Sequence, residues 1–116
     1  DRRRAEDFIA LVSDAISARI SAPDLTVADV ARTLAMSSRG LQRRLAERDL
    51  TFHGLHESVR RRMAADLLAL TDLPMSEIAY RLGFSAVGNF SRAARRWFGC
   101  PPSEWRQANA VVPLDE

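Results

Sequence analysis

The chain contains no lysine, so all 17 of its basic side chains are arginine. It has a single cysteine, Cys100, which excludes an internal disulfide and any fold that depends on an oxidising compartment. Glycine and proline number five each and fall at segment edges. No stretch longer than about four residues alternates apolar and polar side chains as a half-buried strand requires, which leaves an all-α fold. No apolar run approaches the ~18 residues of a membrane-spanning helix and no signal-peptide pattern opens the chain, so a cytoplasmic address with no membrane partner is expected. There is no Ser-His-Asp constellation, Gly-rich phosphate loop or CxxC pair, and His53 and His56 lack a third ligand at suitable spacing. An enzyme, a cofactor and a metal are therefore not expected. With 116 residues there is room for one small domain or two very small subdomains.

What is present is helical periodicity. Phe8, Val12, Ile16 and Ile20, with Ile9, Leu11 and Ala15 beside them, predict an amphipathic helix over about 5–20. Asp1-Arg2-Arg3-Arg4 reads as a charged linker remnant, the mark of a piece cut from a longer protein. Thr26 with Asp29 three residues on forms a capping-box pattern, and Val27, Val30, Ala31 and Leu34 supply the buried face of a short helix. Ser37 is placed to cap a third helix, to about Arg48, with Leu41 and Leu45 inward and Arg39, Gln42, Arg43 and Arg44 outward. A long helix over 52–70 buries Leu55, Val59, Met63, Leu67 and Leu70. After Pro74, Met75, Ile78, Ala79 and Leu82 make a second short helix, ended by Gly83. Ser85 is read as the cap of a last long helix that turns Phe90, Ala94, Trp97 and Phe98 inward and stops at Gly99, before a terminal turn or helix from Pro101.

Two of these stretches are the same unit. Val27–Ser37 and Met75–Ser85 align without a gap at an offset of 48, matching Val30-Ala31 with Ile78-Ala79, Leu34 with Leu82, Ala35 with Gly83 and Ser37 with Ser85. The pattern is that of a helix-turn-helix, in which a small residue lets two helices approach and an apolar anchor, Leu41 or Phe90, holds the second. Charge follows the repeat. The formal net charge is only +2, but residues 37–62 carry seven arginines against three acids and 81–106 five against one. Each basic block begins in or beside the second helix of its unit, the helix that such a motif lays in the DNA major groove. At 1.5 Å per residue the connecting helix is about 28 Å long, near the ~34 Å of one duplex turn. A competing reading is a helical interaction module that binds an acidic protein partner through the same arginines.

The run Ile78-Ala79-Tyr80-Arg81-Leu82-Gly83-Phe84-Ser85, continuing through Phe90-Ser91-Arg92 and Arg96-Trp97-Phe98-Gly99 to Pro102-Ser103-Glu104-Trp105-Arg106, resembles the signature of the AraC/XylS family of bacterial transcription regulators. Met36-Ser37-Ser38-Arg39-Gly40-Leu41-Gln42-Arg43-Arg44-Leu45 is similar to the family's first helix-turn-helix, and Arg60, Ala64 and Leu67-Leu68 to its linker helix. The resemblance covers about residues 5–108. It implies seven helices in two helix-turn-helix subdomains and a C-terminal output domain that binds promoter DNA, most often to activate transcription. RNA polymerase is then a candidate second partner, the nucleoid the site of action, and a sensor or dimerisation domain lies elsewhere in the parent protein. The implied division is a remnant at 1–4, a first subdomain at 5–50, a linker helix at 51–70, a second subdomain at 71–108 and a tail at 109–116.

Carried over by position, the family's base-reading face falls on Arg39, Gln42 and Arg43 in the first unit and on Val87, Gly88, Asn89 and Arg92 in the second. Ser37, Ser38 and Ser85 at helix starts, with Arg95 and Arg96, fall where phosphate oxygens would be met. Three departures stand out: Asn89 where an aromatic is common, Ala94 for a usual Phe, and Asp49-Leu50 at the place of a usual Gly. Val87 and Gly88 offer no side-chain hydrogen bond, so the first unit is expected to discriminate more strongly, with Asn89 and Arg92 the strong readers of the second. The resemblance gives Arg60 a structural place on the linker helix.

Overall fold

The computed structural model describes residues 2–111, and among them the chain forms seven α-helices and no strand. They are α1 (Arg2–Ala18), α2 (Val27–Thr33), α3 (Ser38–Ala46), α4 (Phe52–Leu70), α5 (Met75–Arg81), α6 (Val87–Phe98) and α7 (Pro102–Asn109). The all-α expectation holds, and α4 has the limits that periodicity predicts. Arg2, Arg3 and Arg4, expected ahead of the first helix, instead belong to it, with Arg2 paired to Glu6 at 3.5 Å. Asp1 and residues 112–116 of the expected tail lie outside the described residues.

The chain divides into two compact units, and the division falls inside α4, between Val59 and Arg60. The first unit buries Val12, Ala15, Ile16 and Ile20 together with Val30 and Ala31 of α2, Leu41 and Leu45 of α3, and Leu55 and Val59 of α4. Leu11, expected beside the stripe, is 54% exposed. It stands about 100° round the helix from Val12, at the edge of the apolar arc. At the start of α2 the predicted capping box is complete: the Thr26 hydroxyl accepts from the Asp29 N–H at 3.2 Å, and the Asp29 carboxylate accepts from the Thr26 N–H at 3.0 Å. The Thr26 N–H foremost, and the Thr26 hydroxyl that also donates to the carboxylate at 3.0 Å, hold the Asp29 carboxyl below its ordinary pKa.

The second unit buries Ala64 and Leu68 of α4, Ile78 and Ala79 of α5, Leu82, Phe90, Ala93 and Ala94 of α6, and Pro102. The single stripe expected along α4 is replaced by two four-spaced pairs, Leu55 with Val59 and Ala64 with Leu68, one for each unit. Met63 and Leu67 are half-buried in consequence, and Leu70 is 53% exposed. Trp97 and Trp105 pack within an aromatic row that joins Phe84, Trp97, Phe98 and Trp105, with Phe98 stacked on Trp105 at 4.7 Å between ring centres.

The 48-residue repeat extends to individual backbone hydrogen bonds. After α2 the Ala35 N–H donates to Arg32 O at 3.1 Å and the Met36 N–H to Ala31 O at 2.8 Å. After α5 the Gly83 N–H donates to Tyr80 O at 3.1 Å and the Phe84 N–H to Ala79 O at 2.9 Å. Both are Schellman endings, which need a left-handed residue between the two donors' helix and the outgoing chain. Ala35 at φ 56° and Gly83 at φ 81° supply it. The same pair of bonds follows α3, from Asp49 to Ala46 O and from Leu50 to Leu45 O, with Asp49 at φ 60°. The departure at Asp49 thus keeps the conformation glycine would give, because a short polar side chain tolerates it.

Candidate nucleic-acid interface

In each unit the helix after the turn is anchored by one buried side and turns the opposite side to solvent. α3 is held by Leu41 and Leu45, both fully buried. Positions i, i+3 and i+4 share one helix face, and those positions here are Arg39, Gln42 and Arg43, all exposed. None of the three side chains has an intramolecular partner among the described residues. They present guanidinium and amide groups, the donors and acceptors that match guanine and adenine edges. Ser37 is the N-cap, as expected: its hydroxyl oxygen accepts from the Gly40 N–H at 3.0 Å, which leaves the O–H free to donate outward. Ser38 opens the helix and is half-buried.

α6 starts differently from its expected form. Ser85 is not its cap. The N-cap is Ala86, extended at φ −154° and without a side-chain bond to the helix start. Ser85 is exposed, and its oxygen accepts from Nδ2 of Asn89 at 2.9 Å. The Asn89 Oδ1 in turn accepts from Nη2 of Arg92. Val87 is 45% exposed, Gly88 and Asn89 are half-buried and Arg92 is exposed. Phe90, with Ala93 and Ala94, forms the buried side of this helix. Ala94 in place of a bulkier residue is fully buried. Arg95 and Arg96 are exposed in the last turn, before Gly99 closes the helix at φ 79°.

Several arginines counted in the basic blocks serve the fold. Arg44 lies with its guanidinium 3.8 Å above the Phe8 ring, joining α3 to α1 by a cation–π contact. Arg81 is paired with Glu77 at 2.9 Å. Arg106 donates from Nε to Leu68 O at 3.1 Å, satisfying a carbonyl at the end of α4. Arg60 satisfies carbonyls of the turn after α5, from Nε to Leu82 O at 2.9 Å and from Nη2 to Gly83 O at 3.1 Å. Only for Arg60 does the sequence resemblance anticipate this work. Among the described residues no group of three or more His, Cys, Asp and Glu could hold a metal, and no helix is long and apolar enough to cross a membrane.

Two helix-turn-helix units, each presenting an exposed polar second helix, define a double helix-turn-helix DNA-binding domain. A family model described as a helix-turn-helix domain matches residues 18–108. Over 86 residues, 74% of its length, the chain is 44% identical to the ornithine utilization regulator of Pseudomonas aeruginosa, covering 25% of that protein. Its fold is similar to the C-terminal domain of AraT, a response regulator from Geobacillus stearothermophilus, with a TM-score of 0.78 and 30% identity over 94% of this chain and 91% of that one. It is also similar to the DNA-binding domain of AdpA, a global transcriptional factor solved in complex with a target DNA, with a TM-score of 0.70 and 25% identity over 86% and 90% of the two chains. The chain belongs to the AraC/XylS family of transcription regulators, as one of its DNA-binding domains. This decides for DNA over the acidic-protein alternative. The chain spans about a quarter of the length of the curated relatives it matches.

Proposed function

We propose that this chain is the output domain of a larger, effector-responsive regulator and reads promoter DNA with both units. Arg39, Gln42 and Arg43 of α3 are the base readers of the first, and Arg92 with the first turn of α6, Val87, Gly88 and Asn89, lies against the bases in the second. Ser37, Ser38, Ser85, Arg95 and Arg96 meet phosphates. The observation that supports this best is the trio on α3: three side chains able to read base edges, on one face of an anchored helix, with nothing in the described structure competing for them. Binding of this kind places the parent protein on the nucleoid in the cytoplasm. Activation through RNA polymerase and control by a sensor domain are the further expectations for the whole regulator.

Selection of bound duplexes from a random pool tests the reading. The expected result is an enriched motif with two blocks, one for each unit. A duplex carrying it should outcompete a scrambled one, by ~10³ or more for the intact regulator and by less for this domain alone. A pool that stays random after selection overturns the proposal.

A further inference from the structure

The first turn of α6 carries a chain of side-chain contacts that neither α3 nor the repeat pattern contains. Arginine has donors only. The Asn89 atom that faces Arg92 is therefore Oδ1, which fixes the amide and turns Nδ2 to the Ser85 oxygen at 2.9 Å. Asn89 and Arg92 stand three apart on one side of the helix, and Ser85 lies in the turn just before its N-cap. One N–H of Asn89 and one acceptor site of its oxygen are engaged inside the protein, and both bonds hold the amide in this orientation, whereas bidentate reading of adenine would ask for the same two atoms to be turned to one base edge. Arg92 is in the opposite position, since one bond to Asn89 leaves most of its five N–H donors unspent. The contact also draws the guanidinium back toward the start of α6, where a Cβ added at Gly88 would lie 3.7 Å from Nη1. The N-terminal residues of a recognition helix are the ones that reach base edges. Arg92, in the second turn, is brought there by its neighbour.

We propose that Asn89 is a positioning residue and not a base reader: braced by Ser85, it holds the Arg92 guanidinium at the head of α6, where Arg92 selects a guanine. This rests on the DNA-reading role of α6 proposed above and assigns its specificity to one side chain. Pre-ordering a long side chain lowers the entropy lost on binding, so the effect is on discrimination at the base pair Arg92 reads.

The test compares duplex selection and competition titrations for the unaltered chain, Arg92→Ala, Asn89→Ala, Asn89→Asp and Ser85→Ala, each checked for helical circular dichroism. Arg92→Ala should erase one guanine from the selected motif, with a loss of about tenfold or more at that position. Asn89→Ala should keep guanine as the preferred base but reduce its margin over the other bases roughly three- to tenfold. Asn89→Asp still accepts from Arg92 but cannot donate to adenine, so its guanine margin should stay within about threefold of the unaltered chain even as overall affinity falls. Ser85→Ala, which removes only the outer bond, should act in the same direction as Asn89→Ala and more weakly, and it decides the matter if Asn89→Ala does not fold. Loss of an adenine at a different position in Asn89→Ala, or an unchanged guanine margin in either Asn89→Ala or Arg92→Ala, would overturn the inference while the selected motif itself upheld the proposed function. An unaltered chain that selects nothing would instead remove the reading on which the inference rests.

Discussion

Arg60 donates from Nε to the carbonyl oxygen of Leu82 at 2.9 Å, across 22 residues of sequence, and its guanidinium also lies 4.3 Å from the centre of the Phe84 ring. A second bond, to Gly83 O at 3.1 Å, makes one planar group the acceptor's partner at two successive carbonyls. Both carbonyls belong to the turn after α5, Leu82 at its C-cap and Gly83 just beyond. One arginine thus closes α5, covers Phe84 and ties the turn of the second unit to α4.

Replacing Arg60 by Ala should destabilise the second unit by about 1.5–3 kcal/mol, since charge-assisted, partly buried bonds are lost and two carbonyls are left bare. Lysine should restore only part, because it has neither the planar fork nor the stacking face. Both tryptophans, Trp97 and Trp105, lie in this unit, so urea denaturation followed by tryptophan fluorescence reads it directly.

Glycine should be favoured in both turns, so the two substitutions should have opposite signs. Gly83→Ala places a Cβ at φ 81° and is expected to cost about 1–2 kcal/mol. Ala35→Gly relieves the same strain at φ 56°, less the added freedom of the unfolded chain, for a gain of up to about 1 kcal/mol. Thermal denaturation followed by circular dichroism gives both signs.

Hydrogen bonds from Thr26 keep the Asp29 carboxyl below its ordinary value of 3.8. A depressed folded-state pKa contributes stability that is fully present above the unfolded value and is lost as pH falls through the folded one. The first unit should therefore weaken on acidification below the ordinary aspartate range, and Asp29→Asn should remove that part of the pH dependence. Thr26→Ala should cost about 1 kcal/mol at neutral pH, the usual value of an N-cap. Urea denaturation at a series of acidic pH values measures both.

The proposed base readers and phosphate contacts are separable by salt and sequence. Arg43→Ala should cost about 1–3 kcal/mol on the selected duplex and relax preference at one base pair. Arg95→Ala should weaken selected and scrambled duplexes alike and lower the slope of log K against log salt by about 0.9. Titrations of both duplexes at several salt concentrations distinguish the two.

The fold was legible because periodicity, caps and turn residues agree with one another: Thr26 with Asp29, Ser37, Gly83 and Gly99 each mark an end that the structure keeps. The apolar pattern misleads at Leu70 of α4, where two cores draw on one helix and no continuous stripe exists. Ser85 failed as a cap because Ala86 takes that position, and its oxygen instead accepts from the Asn89 amide four residues on. The proposed reading positions on α3 and α6 rest on family likeness to their motifs. Charge arithmetic overstates the basic surface, since a guanidinium that caps a helix, as in Arg106, or lies over a ring, as in Arg44, looks in sequence like one that faces solvent.

Each turn is fastened by main-chain groups and each second helix by its inward residues, while Arg39, Gln42 and Arg43 take no part in holding the fold. Scaffold and message are written in different letters of the same helix. On the reading proposed above, exchanging those three outer side chains should re-aim the first unit, with little penalty in folding to slow the change.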